Sequence, residues 1–216
     1  MVIAVALDTR GRDAVEKWIR PADASSYPRF ILDLMGWGDA EGKPVAAPAY
    51  PCLVDENHIV ARLYDMVNVP TAVWIDEEGR MVRPPESAGA GDSFRAMDPK
   101  TFRMPAEAVS TAKNRRRVYV NALRDWVAKG QSSIHAVSPR ELRGRIGALR
   151  AEDALAAANF RLGVELYRVG QAQEAGRYLA EARRLRPESW TYRRQSWELE
   201  EPGKFCRRHL AGQAER

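Results

Sequence analysis

A chain of 216 residues, 45% hydrophobic and 29% charged, has the composition of a globular protein of one domain or two small ones. No apolar run reaches the ~18 residues of a bilayer-spanning helix, and the two cysteines, Cys52 and Cys206, are too far apart in sequence for a disulfide framework or a paired metal site. The net charge is +5, and all of the excess lies late: from Arg140 onward 16 Lys and Arg meet 11 Asp and Glu, while the part before it holds 18 of each. The late bases are interleaved with acids, as on a solvated helical face, and over the whole chain 28 of the 34 Lys and Arg are Arg, a skew that fits a GC-rich genome as well as it fits selection for phosphate contacts. No nucleic-acid partner is expected.

The Val2–Leu7 run is apolar and rich in β-branched residues, which predicts a strand covered on both faces. Asp8-Thr9-Arg10-Gly11 reads as a turn. Asp13–Arg20 reads as a short helix with Val15, Trp18 and Ile19 on one side, stopped by Pro21. Ala22–Pro28 reads as loop, Phe30–Met35 as a turn or two of helix, and Gly36–Pro48 as loop. Tyr50–Val54 predicts a short strand. Asp55 then predicts the N-cap of an amphipathic helix of two to three turns bearing Ile59, Val60, Leu63, Tyr64 and Val67.

Val69–Ile75 enters a strand, Asp76-Glu77-Glu78-Gly79 is a turn in which Gly79 is free to take a positive φ, and Arg80–Arg83 returns as the paired strand. Pro84–Pro105 predicts a surface loop. Its Gly89 and Gly91 are not a phosphate loop, since no Gly-Lys-Ser/Thr follows. Ala106–Lys129 predicts a long helix with Val109, Val118, Tyr119, Ala122, Leu123 and Trp126 as its stripe, ended by Gly130. Residues 131–137 read as a linker. Ser138-Pro139-Arg140-Glu141 is a capping box that opens a run of helices at about 139–149, 151–169, 171–186 and 188–199, punctuated by Gly170 and Pro187. Trp190 and Trp197, seven apart, are expected on the packing face of the last helix, and 201–216 is a tail.

One segment carries a more specific signal. Val67-Asn68-Val69-Pro70-Thr71-Ala72-Val73-Trp74-Ile75-Asp76-Glu77-Glu78-Gly79-Arg80-Met81-Val82 resembles the stretch of thioredoxin-like proteins in which a Pro-Thr pair begins a strand and an Asp-x-x-Gly turn leads to the next. Tyr50–Asp55 with Ile59, Val60, Ala61 and Tyr64 resembles the insertion of the TlpA/ResA and AhpC/TSA redoxin kind, and Val2–Asp8 resembles that family's second strand. The resemblance implies an α/β thioredoxin-like mixed sheet over residues 1–130. It also implies a cis Pro70, with Val69, Pro70 and Thr71 as a partner-binding edge. An ordinary trans Pro at the start of a strand is the alternative.

The family's Cys-x-x-Cys unit has no counterpart here. Either the first strand and redox helix are missing, so that the sheet lacks a strand and self-association is expected, or Val2–Leu7 replaces the first strand with Asp8–Asp13 where the cysteines belong. In both cases the chain is expected to be redox-inactive, Cys52 is a free thiol without a resolving partner, and no catalytic residue, metal or cofactor is expected; His58, His135 and His209 are scattered.

In the helical run, Leu162, Gly163, Leu166, Ala175, Leu179, Ala182 and Pro187 match the spacing of one tetratricopeptide repeat. Residues 138–200 are therefore expected to form an all-α tetratricopeptide-like segment. The alternative function to a redoxin relative is a non-catalytic scaffold binding protein partners. Met1–Asp8 lacks a basic leader, so a cytoplasmic location is expected unless an export signal lies upstream.

Overall fold

The computed structural model describes residues 1–20, 22–23, 32, 44–98, 101, 103–146, 148 and 150–202. The helical turns expected at Phe30–Met35 (Leu32 apart), most of the Gly36–Pro48 loop, Cys206, His209 and nearly all of the tail lie outside the described residues. In chain order the elements are β1 (Ala4–Ala6), α1 (Arg12–Ile19), β2 (Ala22–Asp23), β3 (Pro44–Val45), β4 (Cys52–Val54), α2 (Ile59–Leu63), β5 (Thr71–Ile75), β6 (Met81–Ser87), α3 (Ala106–Lys129), α4 (Pro139–Ile146), α5 (Ala151–Arg168), α6 (Ala172–Leu185) and α7 (Trp190–Glu200), with 3₁₀ turns at Asp92–Ala96 and Gly130–Ser132. The chain is mixed α/β, with small sheets first and helices after them.

Among the described residues the strands form three separate two-stranded ladders: β1 with β4 in parallel, β2 with β3 antiparallel, and β5 with β6 antiparallel. The single mixed sheet expected from the resemblance is thus corrected among the described residues, and the reasons are local. The Val2–Leu7 run yields only three paired residues, with Val2, Ile3 and Leu53 exposed rather than covered. In β6 the pairing runs on to Ser87, past the predicted loop start at Pro84, and its register slips opposite Ala72–Trp74, where Pro84 and Pro85 have no N–H to give a ladder.

The contacts also divide the chain differently from the expected boundary at 131–137. One compact unit joins Met1–Trp18, Ala49–Val69 and the described residues from Ala148 onward; the other comprises the described residues of Ile19–Pro48 and Pro70–Gly147.

In the second unit, the Asp76–Gly79 turn forms as its residues dictate. Gly79 takes φ +76°, and Asp76 Oδ1 accepts from the Glu78 and Arg80 amides at 3.1 and 2.9 Å. Trp74 is buried between α3 side chains: it stacks on Trp126 at 5.2 Å, and its indole N–H donates to Tyr119 Oη at 2.7 Å. Val118, expected in the α3 stripe, is exposed. The expected linker is tied to the hairpin, for Val137 N donates to Val82 O at 2.8 Å and Arg83 Nη1 to His135 O at 3.0 Å.

In the first unit, α5 and α6 form a hairpin turned at Gly170, φ +85°. Ala156, Ala157, Phe160 and Val164 of α5 pack on Leu179 and Ala182 of α6 and on Tyr192 and Leu199 of α7. The two helices approach closely at Gly163: a Cβ there would lie 2.7 Å from Leu179 Cγ and 3.2 Å from Ala175 O, so only glycine allows the two helices this close. Gly163→Val is expected to lower stability by about 1–3 kcal/mol, read as a lower urea midpoint at unchanged slope.

Ser189 caps α7, accepting from Tyr192 N at 3.3 Å. Trp197 is buried, and Arg193 lies over the rings of Trp190 and Trp197, 4.8 and 5.9 Å from their centroids. The helices do not stand alone. Thr9 N and Oγ1 donate to Gln195 Oε1 at 3.0 and 2.8 Å, Gln195 Nε2 donates to Leu7 O at 3.1 Å, and Thr191 Oγ1 donates to Met66 O at 3.1 Å. Trp18, expected on the buried side of α1, is more than half exposed, whereas Val15 is buried.

Candidate functional site

Helix α5 has two working faces. Its core face carries Ala156, Phe160 and Val164. On the opposite face are Leu155 and Leu162, two helical turns apart, with Val169 following at the cap just past the helix; they are 53, 44 and 61% exposed. Between these faces, one flank of α5 borders a cleft of about 400 Å³. Its walls are Glu56 and Asn57 on one side and Arg161, Leu162, Glu165 and Arg168 on the other, over Phe160 and Val164.

The wall at 56–57 is held by the turn that follows β4. Asp55 is buried; its N–H donates to Ala6 O at 2.8 Å, and its carboxylate accepts from Ile59 N at 2.7 Å and Ala61 N at 3.0 Å. The N-cap position of α2 is His58 and not the expected Asp55, whose carboxylate reaches the first helical amides from three residues further back, and α2 is one short segment rather than two to three turns. Glu56 lies over Gly11, whose φ is +73° and whose missing Cβ would fall 2.6 Å from Glu56 Oε2. Arg168 fastens the wall to α5: its guanidinium donates to Asn57 Oδ1 at 3.2 Å and to Thr9 O at 3.4 Å, and lies 3.6 Å from Glu165. Glu56 and Arg161 form no ion pair among the described residues, so the rim offers one unspent charge of each sign.

Under this wall sits His58, which no motif or spacing singles out in the sequence. It is 3% exposed, takes the left-handed conformation at φ 54°, ψ 33°, and meets Phe160 edge-on at 5.0 Å. Neither ring nitrogen has a hydrogen-bond partner. Burial pushes its imidazole down to about 4, against the attraction of Asp55 and Asp8. At Asp8 burial works to raise the carboxyl, but the hydrogen bonds and charge of Arg10 outweigh it and hold the group below its usual range.

The residues singled out from the sequence lie elsewhere. Cys52 is a half-buried free thiol in β4 whose Sγ is 3.6 Å from Tyr50 O. Val69 is exposed, with its N–H on Asn68 Oδ1 at 2.8 Å; Pro70 is exposed; and Thr71 opens β5 opposite Ser87. None of them lines the cleft. Among the described residues there is no group of three or more His, Cys, Asp or Glu placed to hold a metal, and no helix long and apolar enough to cross a membrane. No family model, no curated protein and no solved structure matches the chain.

Proposed function

We propose that this chain is a non-catalytic protein-interaction scaffold whose docking surface is the outer face of α5 with the adjoining cleft. The observation that carries the reading is the line Leu155, Leu162, Val169: large apolar side chains left in water along a helix and at its C-terminal cap, while the helix's opposite face is locked to α6 by the Gly163–Leu179 approach. Apolar patches on rigid elements mark sites where another protein docks. Leu162 belongs both to this line and to the cleft, so a partner segment lying along α5 would drop an apolar side chain over Phe160. The unspent Glu56 and Arg161 fit a segment that carries a base and an acid beside its apolar residues.

The second reading, a redox-inactive relative of thioredoxin-like redoxins, draws on Pro70 and the hairpin 71–87. It asks for a sheet uniting that hairpin with the Ala4–Ala6 strand, and the described strands pair in separate ladders, so it ranks below the scaffold reading.

A random-peptide display panned on the full chain tests the proposal. It is expected to enrich peptides with apolar residues flanked by both charges, and Leu162→Glu is expected to weaken them by about tenfold or more, the effect of losing an anchor contact. The thermal midpoint of this variant should stay close to that of the parent, because the position is exposed. Enriched peptides that bind Leu162→Glu equally well, or no enrichment over an unrelated protein, would remove the reading.

A further inference from the structure

We propose that His58 is an acid-released latch for the wall of this cleft: once protonated, the imidazole leaves its seat against Phe160, and Glu56 and Asn57 come away from α5. The inference rests on the cleft being the docking site, since its consequence is that acid weakens docking.

The argument begins with what the ring lacks. A neutral imidazole offers one donor and one acceptor, and in His58 both are buried and unpaired. The seat is held by packing alone, edge-on to Phe160. Protonation converts the ring to two donors and a full charge, which such a seat disfavours strongly.

The charged groups around it do not answer that need. In its own turn, both oxygens of Asp55 are taken by the amides of Ile59 and Ala61. After β1, Asp8 is taken by Arg10, which donates to both of its oxygens, and Arg194 of α7 also acts on it. Helix α5 contributes Phe160 and the cation Arg168, which binds the neighbouring Asn57; α7 contributes the neutral Gln195, bound to Thr9. Glu56, the unpaired carboxylate of the same turn, lies over Gly11, and among the described residues no acceptor is hydrogen-bonded to the ring where it sits, so a protonated ring finds its partners by moving toward water.

The hinge is short. His58 follows Glu56 and Asn57 directly and is itself in the left-handed region, so expulsion of its ring displaces the residues that wall the cleft. What resists is the pair of long contacts from Arg168 to Asn57 and Thr9.

The sign follows from linkage. The closed form holds the imidazole proton only near pH 4, while an open form in water holds it from about 6.5. Opening therefore binds a proton throughout that window. The opening constant rises as pH falls, by about a hundredfold at pH 4, and levels off below it.

Amide hydrogen exchange on the full chain reads this directly. Protection at Ile59 and Ala61 is expected to fall about a hundredfold between pH 7 and pH 4, relative to Leu179 inside the α5–α6 hairpin. His58→Phe, which keeps a ring against Phe160 without a titrating nitrogen, is expected to lose that fall. Because φ 54° strains phenylalanine, His58→Asn, a residue that tolerates this conformation, is run beside it with the same expectation. A fall that persists in both variants has a source other than His58 and overturns the latch, as does a wild-type His58 imidazole that titrates by NMR at the ordinary 6.5. Peptides selected on the cleft should lose affinity over the same window in the wild type only. Affinity that stays constant from pH 7 to 4 overturns the link between latch and docking. Exchange behaving as expected with no peptide selected at all would instead remove the docking reading and leave the latch standing.

Discussion

Phe160→Ala is expected to remove about 3–5 kcal/mol from the stability of the chain, the range for deleting a fully buried aromatic ring. Phe160 is 1% exposed and is the meeting point of the first unit. It stacks on Tyr192 of α7 at 4.5 Å, takes the edge of His58 at 5.0 Å, and packs in one cluster with Leu179 and Ala182 of α6. Its neighbours decide where in that range the loss falls. Ala156, Ala157 and Ala182 are too short to swing into the vacated space, and Gly163 already lets the helices approach to contact. The cavity would stay open, which places the loss toward the upper end. Since small domains are stable by about 5–15 kcal/mol, urea unfolding followed at 222 nm should show a large drop in midpoint, with Leu162→Ala, an exposed position on the same helix, within about 0.5 kcal/mol of the parent. A loss below about 1 kcal/mol for Phe160→Ala would mean that the helices are not held together through this ring.

Much of this packing was legible because it is local. Gly130, Gly170 and Pro187 punctuate the helices in the sequence, and α3, α5, α6 and α7 begin and end within two residues of where those signals place them. The turn Asp76–Gly79 carries its own instructions in an aspartate that accepts two amides and a glycine free to take φ +76°. The close approach at Gly163 was readable from the spacing of small residues. What the sequence hid depends on partners far along the chain. Nothing near Thr9 announces Gln195, and nothing near His58 announces Phe160. For the same reason the division into units was unreadable: the composition change at 131–137 looks like a boundary, yet that segment is bonded to β6, and the helices after it share a unit with the first residues of the chain. The resemblance at 67–82 rests on a strand, a turn and a strand. Those form as expected, but a hairpin specifies its own pairing and not the sheet it joins.

Arg186→Ala tests that long-range fastening and is expected to cost about 3 kcal/mol, the lower part of the range for breaking a buried ion pair. Arg186 is buried at the end of α6, pairs with Asp65 in the turn after α2, and lies 3.5 Å from Asp153 at the start of α5 and 3.4 Å from Glu188. One guanidinium thus ties three stretches of chain, and its fork geometry is what lets it do so, so Arg186→Lys should recover only part of the loss. The loss stays at the lower end because neither main acid is left stranded. Asp153 keeps the Arg150 guanidinium at 2.7 and 3.0 Å, and the Asp65 side chain is 38% exposed and can hydrate. A pH series separates charge pairing from packing. Hydrogen bonds from Arg150 first, then the charges of Arg186 and Arg150, hold the Asp153 carboxyl below its usual range in spite of burial. A carboxyl lowered by folding stabilises the fold above its unfolded value, near 4, and that contribution fades as pH falls through the lowered one. The difference in urea midpoint between wild type and Arg186→Ala should therefore shrink below pH 4. A difference that holds its size down to pH 2 would show that Arg186 acts through the apolar packing of its stem and that its charge does little to join the turn after α2 to the helices.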